Sequence, residues 1–105
     1  MTYKNIDFNF ANKIMNSDTD YVIIDVREEF EYITGHPKGA ILLPVDSIDE
    51  NTASEVINNK NTIVMLYCRS GRRSAIAATK LCSMGYTNVY NLGSLVDWPF
   101  GLYYD

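Results

Sequence analysis

The residues of this chain best suited to covalent chemistry lie in one stretch, Cys68-Arg69-Ser70-Gly71-Arg72-Arg73-Ser74. Cysteine is a strong nucleophile only as its thiolate, so it needs a setting that favours negative charge. A cysteine that closes a buried strand, with a helix starting five or six residues later, faces backbone N–H groups that the first helical turn leaves without partners. A tight turn at Gly71 can bring further N–H groups to the same point, and Arg69, Arg72 and Arg73 add fixed positive charge. Each effect favours the Cys68 thiolate. The plainer reading, a small apolar residue ending a strand, gives three neighbouring arginines no purpose.

The elements that must present this loop are legible on either side of it. Apolar runs rich in branched residues or Tyr predict strands over residues 21–26, 40–43, 62–67 and 88–91, with a weaker strand near Tyr3. Between them lie helical segments over residues 7–16, 28–34 and 49–58. In the first of these Asp7 is the N-cap, with Phe10, Ala11, Ile14 and Met15 on one face. The clearest helix spans residues 73–84, where Ala75, Ala78, Leu81 and Cys82 recur at spacings of three and four and Gly85 is placed to close it. Strands apolar on both faces, alternating with helices, predict an α/β fold: a mostly parallel five-stranded sheet with helices on both faces. In such sheets, ligands bind beyond the carboxyl ends of the strands, where the 62–67 run delivers Cys68.

A length of 105 residues with 47% apolar content suits one core, hence one domain over residues 1–105. A net charge of −4 argues against nucleic acid as a partner, since phosphate neutralisation needs a basic face. No run approaches a membrane span and the first residues lack a leader pattern, so no membrane partner and a cytoplasmic location are expected. Cys68 and Cys82 sit in unlike contexts and are expected to stay reduced.

The loop resembles the active-site loop of single-domain rhodanese-like sulfurtransferases. The likeness extends in order to Ile24-Asp25-Val26-Arg27, to Gly35-His36-Pro37-Lys38-Gly39-Ala40 through Pro44, and to Leu92-Gly93 and Trp98. The pattern departs at Gly93-Ser94, where relatives often carry two glycines, and the few residues after Trp98 predict a short or missing terminal helix. The resemblance implies a rhodanese-like domain in which Cys68 takes sulfur from a small anionic donor such as thiosulfate. A thiol or protein acceptor, or cyanide in an assay, would then remove it. It further implies that Arg69, Ser70, Gly71, Arg72 and Arg73 bind substrate, their N–H groups around the persulfide sulfur and one or more arginines on the donor's oxygens. No metal or organic cofactor is implied.

Two other functions use the same nucleophile. Phosphatases and arsenate reductases place an arginine six positions after the cysteine, where this chain has Ser74, with Arg73 one place early. A non-turnover sulfur carrier or interaction module would also use Cys68. Outside the loop, more modest roles are expected. Asp25 and Arg27 read as a structural pair, His36 as a turn-fixing hydrogen-bonder and Cys82 as core. Ser74 reads as a helix-opening residue whose hydroxyl could reach a bound anion, and Trp98, Phe100 and Tyr103 read as cover for the sheet edge.

Overall fold

The computed structural model describes residues 2–105. Five strands form one sheet in the order β1-β5-β4-β2-β3, all neighbours parallel: β1 (Lys4–Asn5), β2 (Tyr21–Asp25), β3 (Ile41–Leu42), β4 (Ile63–Cys68) and β5 (Val89–Ser94). Four α-helices connect them: α1 (Phe8–Met15), α2 (Glu29–Tyr32), α3 (Glu50–Val56) and α4 (Arg72–Ser83). The α/β expectation holds, and the sheet is parallel throughout.

Because side chains alternate along a strand, β4 splits its residues between two cores. Val64, Leu66 and Cys68 join Val22, Ile24 and Val26 beneath α3 and α4. Met65 and Tyr67 join Ile23 on the opposite face, under Ala11 of α1 and Trp98. Helix α4 buries Ser74, Ala77, Ala78, Leu81 and Cys82 and ends at Gly85, whose N–H donates to Cys82 O at 3.1 Å. Ala75, predicted on that stripe, is only half-buried.

Helix α1 starts as predicted, with Asp7 Oδ1 accepting from Phe10 N at 2.8 Å. Phe10 itself turns outward, 44% exposed, and lies over the Tyr90 ring, so Ala11 is the residue that seats the helix. The largest boundary difference is at β5, which runs on to Ser94. Gly93, at φ 83°, forms a bulge: Leu66 pairs with Asn91 but Tyr67 with Gly93. Glycine reads as a strand end in sequence, whereas here it lets the pairing continue past one extra residue. Beyond β5 the described residues contain no helix, and Tyr103 bridges back to His36 in antiparallel pairing.

A buried polar network closes the carboxyl edge of the sheet. Asp25, fully buried at the end of β2, accepts from Arg27 Nε at 2.9 Å, from Arg27 Nη2 at 2.6 Å and from the Tyr67 hydroxyl at 2.6 Å. Arg27 Nη2 also donates to Gly35 O at 2.9 Å. Burial pulls the Arg27 pKa down, but the hydrogen bond and charge of Asp25 outweigh it and leave the guanidinium held above its ordinary value. Removing one partner of such a pair strands the other charge. Arg27→Met is therefore expected to lower the unfolding free energy by about 3–5 kcal/mol in a urea titration, with Asp25→Asn in the same chain recovering part of it. A loss under about 1 kcal/mol would mean the pair does not secure this edge.

Candidate active site

Cys68 is the last residue of β4, the central strand, and its side chain points into the core beneath α4 with no exposed surface. Two contacts from the end of β5 fix the loop that follows. Leu95 N donates to Cys68 O at 2.9 Å, and the Ser94 hydroxyl donates to Arg69 O at 2.6 Å. Ser94, the position that departs from the family pattern, thus ties the loop to the sheet.

Gly71 sits at φ 95° and caps α4 without any side-chain hydrogen bond. A Cβ there would meet Gly93 Cα at an ordinary 3.6 Å, so backbone conformation, and not space, requires glycine. This geometry turns the Gly71 N–H onto Cys68 Sγ at 2.9 Å. Ser74 Oγ lies 3.7 Å from the same sulfur and donates to Gly71 O at 3.1 Å when the sulfur is a neutral thiol. Burial raises the Cys68 pKa, but hydrogen bonds from the Ser74 N–H, the Ser74 hydroxyl and the Gly71 and Ser70 N–H groups outweigh it, leaving the pKa lowered. The anion is favoured chiefly by loop dipoles. The arginine charges, expected to add to this effect, are not among its main causes.

The three arginines have different fates. Arg69 and Arg72 are exposed, and neither has an ion-pair partner among the described residues. Arg73 is committed to Glu31, with Nη1 donating to Oε1 at 2.6 Å and Nη2 to Oε2 at 2.9 Å. The guanidinium beside Glu31 holds that carboxyl at about 2. Glu31 carries no sequence signal of this role, since 42 residues separate the partners. Ser74, read as a helix opener whose hydroxyl could reach a bound anion, is brought to the sulfur by its place in the first turn of α4.

A cavity of about 300 Å³ adjoins the loop, lined in part by Arg69, Arg27, Leu95, Val96, Trp98 and Leu102. A hollow of about 400 Å³ on the outer side of α4, between Tyr3 and Ile76, is mostly apolar and holds no nucleophile. Of the loop residues, only Arg69 lines the first. The residues expected to play modest parts make the following contacts. The His36 ring stacks on Tyr32 at 3.8 Å, with Nδ1 facing Tyr32 O and Nε2 facing Asp105. Cys82 is buried and burial pushes its thiol up, while Trp98 packs edge-on against Phe8 and Phe100. Among the described residues no group of three or more His, Cys, Asp or Glu is arranged to hold a metal ion, and no helix is long and apolar enough to cross a membrane.

A parallel sheet that delivers a thiolate into a ring of loop N–H groups defines a class of α/β proteins built for nucleophilic sulfur chemistry. Residues 10–99 match the rhodanese-like domain family, and the chain belongs to that family. It is 43% identical over 74 residues to the thiosulfate sulfurtransferase PspE of Escherichia coli (strain K12), with 70% of each chain covered. Similarity to the putative sulfur carrier protein YrkF of Bacillus subtilis (strain 168) is 36% over 90 residues, spanning 85% of this chain but only 46% of that protein. Among solved structures, a rhodanese with anions from E. coli superposes with a TM-score of 0.73 at 38% identity, covering 81% of this chain and 99% of that one. A rhodanese-like domain protein from Staphylococcus aureus does so at 0.82 and 30% identity, covering 97% and 98%.

If the loop donors hold the thiolate, Ser74→Ala in a Cys82→Ser background should move the pH curve for Cys68 alkylation to higher pH. An unmoved curve would remove Ser74 from the site. Gly71→Ala should cost roughly 1–2 kcal/mol of stability from its left-handed backbone and displace the N–H from the sulfur.

Proposed function

We propose that this chain is a sulfurtransferase that carries sulfane sulfur from a small anionic donor to a thiophilic acceptor as a persulfide on Cys68. The observation that carries the reading is the Gly71 N–H at 2.9 Å from the buried sulfur, joined by the Ser74 hydroxyl and further loop N–H groups. With thiosulfate as donor, the Cys68 thiolate attacks the outer sulfur. The new S–S bond forms as the donor's own S–S bond breaks, and the electron pair leaves on sulfite. Charge is conserved, because the terminal sulfur of the persulfide keeps the single negative charge that the loop is built to hold. A thiolate acceptor then attacks that outer sulfur and returns Cys68 to its thiolate.

Arg69 and Arg72 suit the donor's oxygens because their charges are unpaired, while the N–H groups of Arg69, Ser70, Gly71, Arg72 and Arg73 suit the transferred sulfur. PspE, named a thiosulfate sulfurtransferase, supports this donor class. All the residues invoked come from one rhodanese-like domain, read as residues 1–105. A cytoplasmic setting, where thiols stay reduced, suits both cysteines. Two observations count against phosphate chemistry on the same loop. The position where a phosphatase carries arginine is Ser74, and Arg73 is already held by Glu31. The likeness to YrkF keeps a second reading in view, in which the same persulfide is relayed to a partner protein without independent turnover.

An intact mass spectrum after incubation with thiosulfate should show one added sulfur, absent in Cys68→Ser and retained in Cys82→Ser. Thiocyanate release from thiosulfate and cyanide separates turnover from relay. Neutralising Arg69 and Arg72 together should raise the thiosulfate KM several-fold at low salt, and added salt should narrow the gap. Efficient hydrolysis of aryl phosphates with no uptake of sulfur would replace this reading with the phosphatase one.

A further inference from the structure

The second ion pair of the site, Glu31 with Arg73, has a geometry that binding a donor would not need. Helix α4 begins without a side-chain cap, and the N–H groups of Gly71 at its cap and Ser74 in its first turn are spent on Cys68 Sγ. Two cations, Arg72 and Arg73, occupy its first two positions, where the helix dipole disfavours positive charge. The turn that aims the donors is thus poorly secured by its own sequence.

Helix α2 is a single turn with no buried residue, and its Phe30 is 70% exposed. Tyr32 alone packs against the core, and the rest of the turn is placed by polar contacts. Glu31 closes a capping box with Glu28, accepting from the Glu28 N–H at 3.0 Å, and its two oxygens grip Arg73 at 2.6 and 2.9 Å. Beside it, Tyr32 donates to Ala40 O at 2.7 Å and Arg27 holds Gly35 O. The α2 turn is anchored on one side to the sheet edge and on the other to the start of α4.

We propose that Glu31 is a positioning residue of this site: its carboxylate fixes Arg73 and with it the first turn of α4, so that Arg73 serves the aim of the loop and leaves donor binding to Arg69 and Arg72. The proposal rests on Cys68 being the working nucleophile of a sulfurtransferase. The charged groups around the pair are Arg27, which acts on Glu31, and Glu28 and Cys68, which act on Arg73. Glu31 stays ionised down to about 2, so the pair persists across the range in which a thiolate can be titrated.

The test measures, in the Cys82→Ser background, the pH dependence of Cys68 alkylation by iodoacetamide together with thiosulfate kinetics. Alkylation needs no sulfur donor. A failed sulfurtransferase reading would appear as no persulfide on the parent chain, whereas a failed positioning role would appear in the alkylation curves. Glu31→Gln should shift the curve to higher pH and lower kcat on the order of 10- to 100-fold, with the thiosulfate KM changed less than about threefold. Arg73→Lys keeps the charge but loses the two-pronged grip, and should behave like Glu31→Gln. Glu31→Arg combined with Arg73→Glu rebuilds the pair in reverse and should recover most of the lost rate. If Glu31→Gln does not fold, Arg73→Lys and the reversed pair carry the same comparison. An unmoved alkylation curve in the folded variants would overturn the proposal. So would a raised KM with unchanged kcat in Arg73→Lys, which is the signature of a donor ligand.

Discussion

The Asp25 carboxylate is fully buried at the end of a parallel strand, where Arg27 and Tyr67 both donate to it. Arg27 in turn reaches Gly35 O, so one carboxylate joins β2, β4 and the segment after α2. Tyr67 is the residue before Cys68. Anchoring its ring on one face of the sheet fixes where the next side chain leaves on the other, and that exit is the nucleophile's place. A buried pair of this kind is costly to disrupt yet adds little net stability over an apolar replacement. Its value here lies in specifying one arrangement of the sheet edge.

On the opposite face the problem is to keep a negative sulfur out of water. Burial raises the Cys68 pKa, and the donors of Ser74, Gly71 and Ser70 outweigh it and leave it lowered. Dipoles fixed by the backbone suit the task better than mobile side-chain charges, because they need not reorganise during a reaction at the sulfur. The exposed arginines stand outside this ring. In the proposed reaction they would meet the donor's oxygens.

The two ion pairs divide the labour. Asp25 with Arg27 secures the strand end before the loop, and Glu31 with Arg73 secures the helix start after it. Both involve the stretch around α2, whose turn presents only Tyr32 to the core and is otherwise placed by polar contacts. Cys68 thus lies between two ion pairs, one before the loop and one after it. The depth of its burial follows from that placement as much as from the apolar residues beside it.

The sequence by itself determined the α/β alternation, the strand that ends at Cys68, the glycine turn and helix α4, because each is written in adjacent residues or in short-range periodicity. It also marked Asp25 and Arg27 as a pair, since only two positions separate them. What it could not rank was the three arginines, which look alike along the chain. Only folding brings Glu31 across 42 positions to Arg73 and leaves Arg69 and Arg72 free. Extension of β5 through Gly93 and the turning of Phe10 outward were likewise decided by neighbours distant in sequence. Local propensity and spacing depend on a few successive residues, whereas ion pairing and strand register depend on distances that exist only once the sheet has assembled.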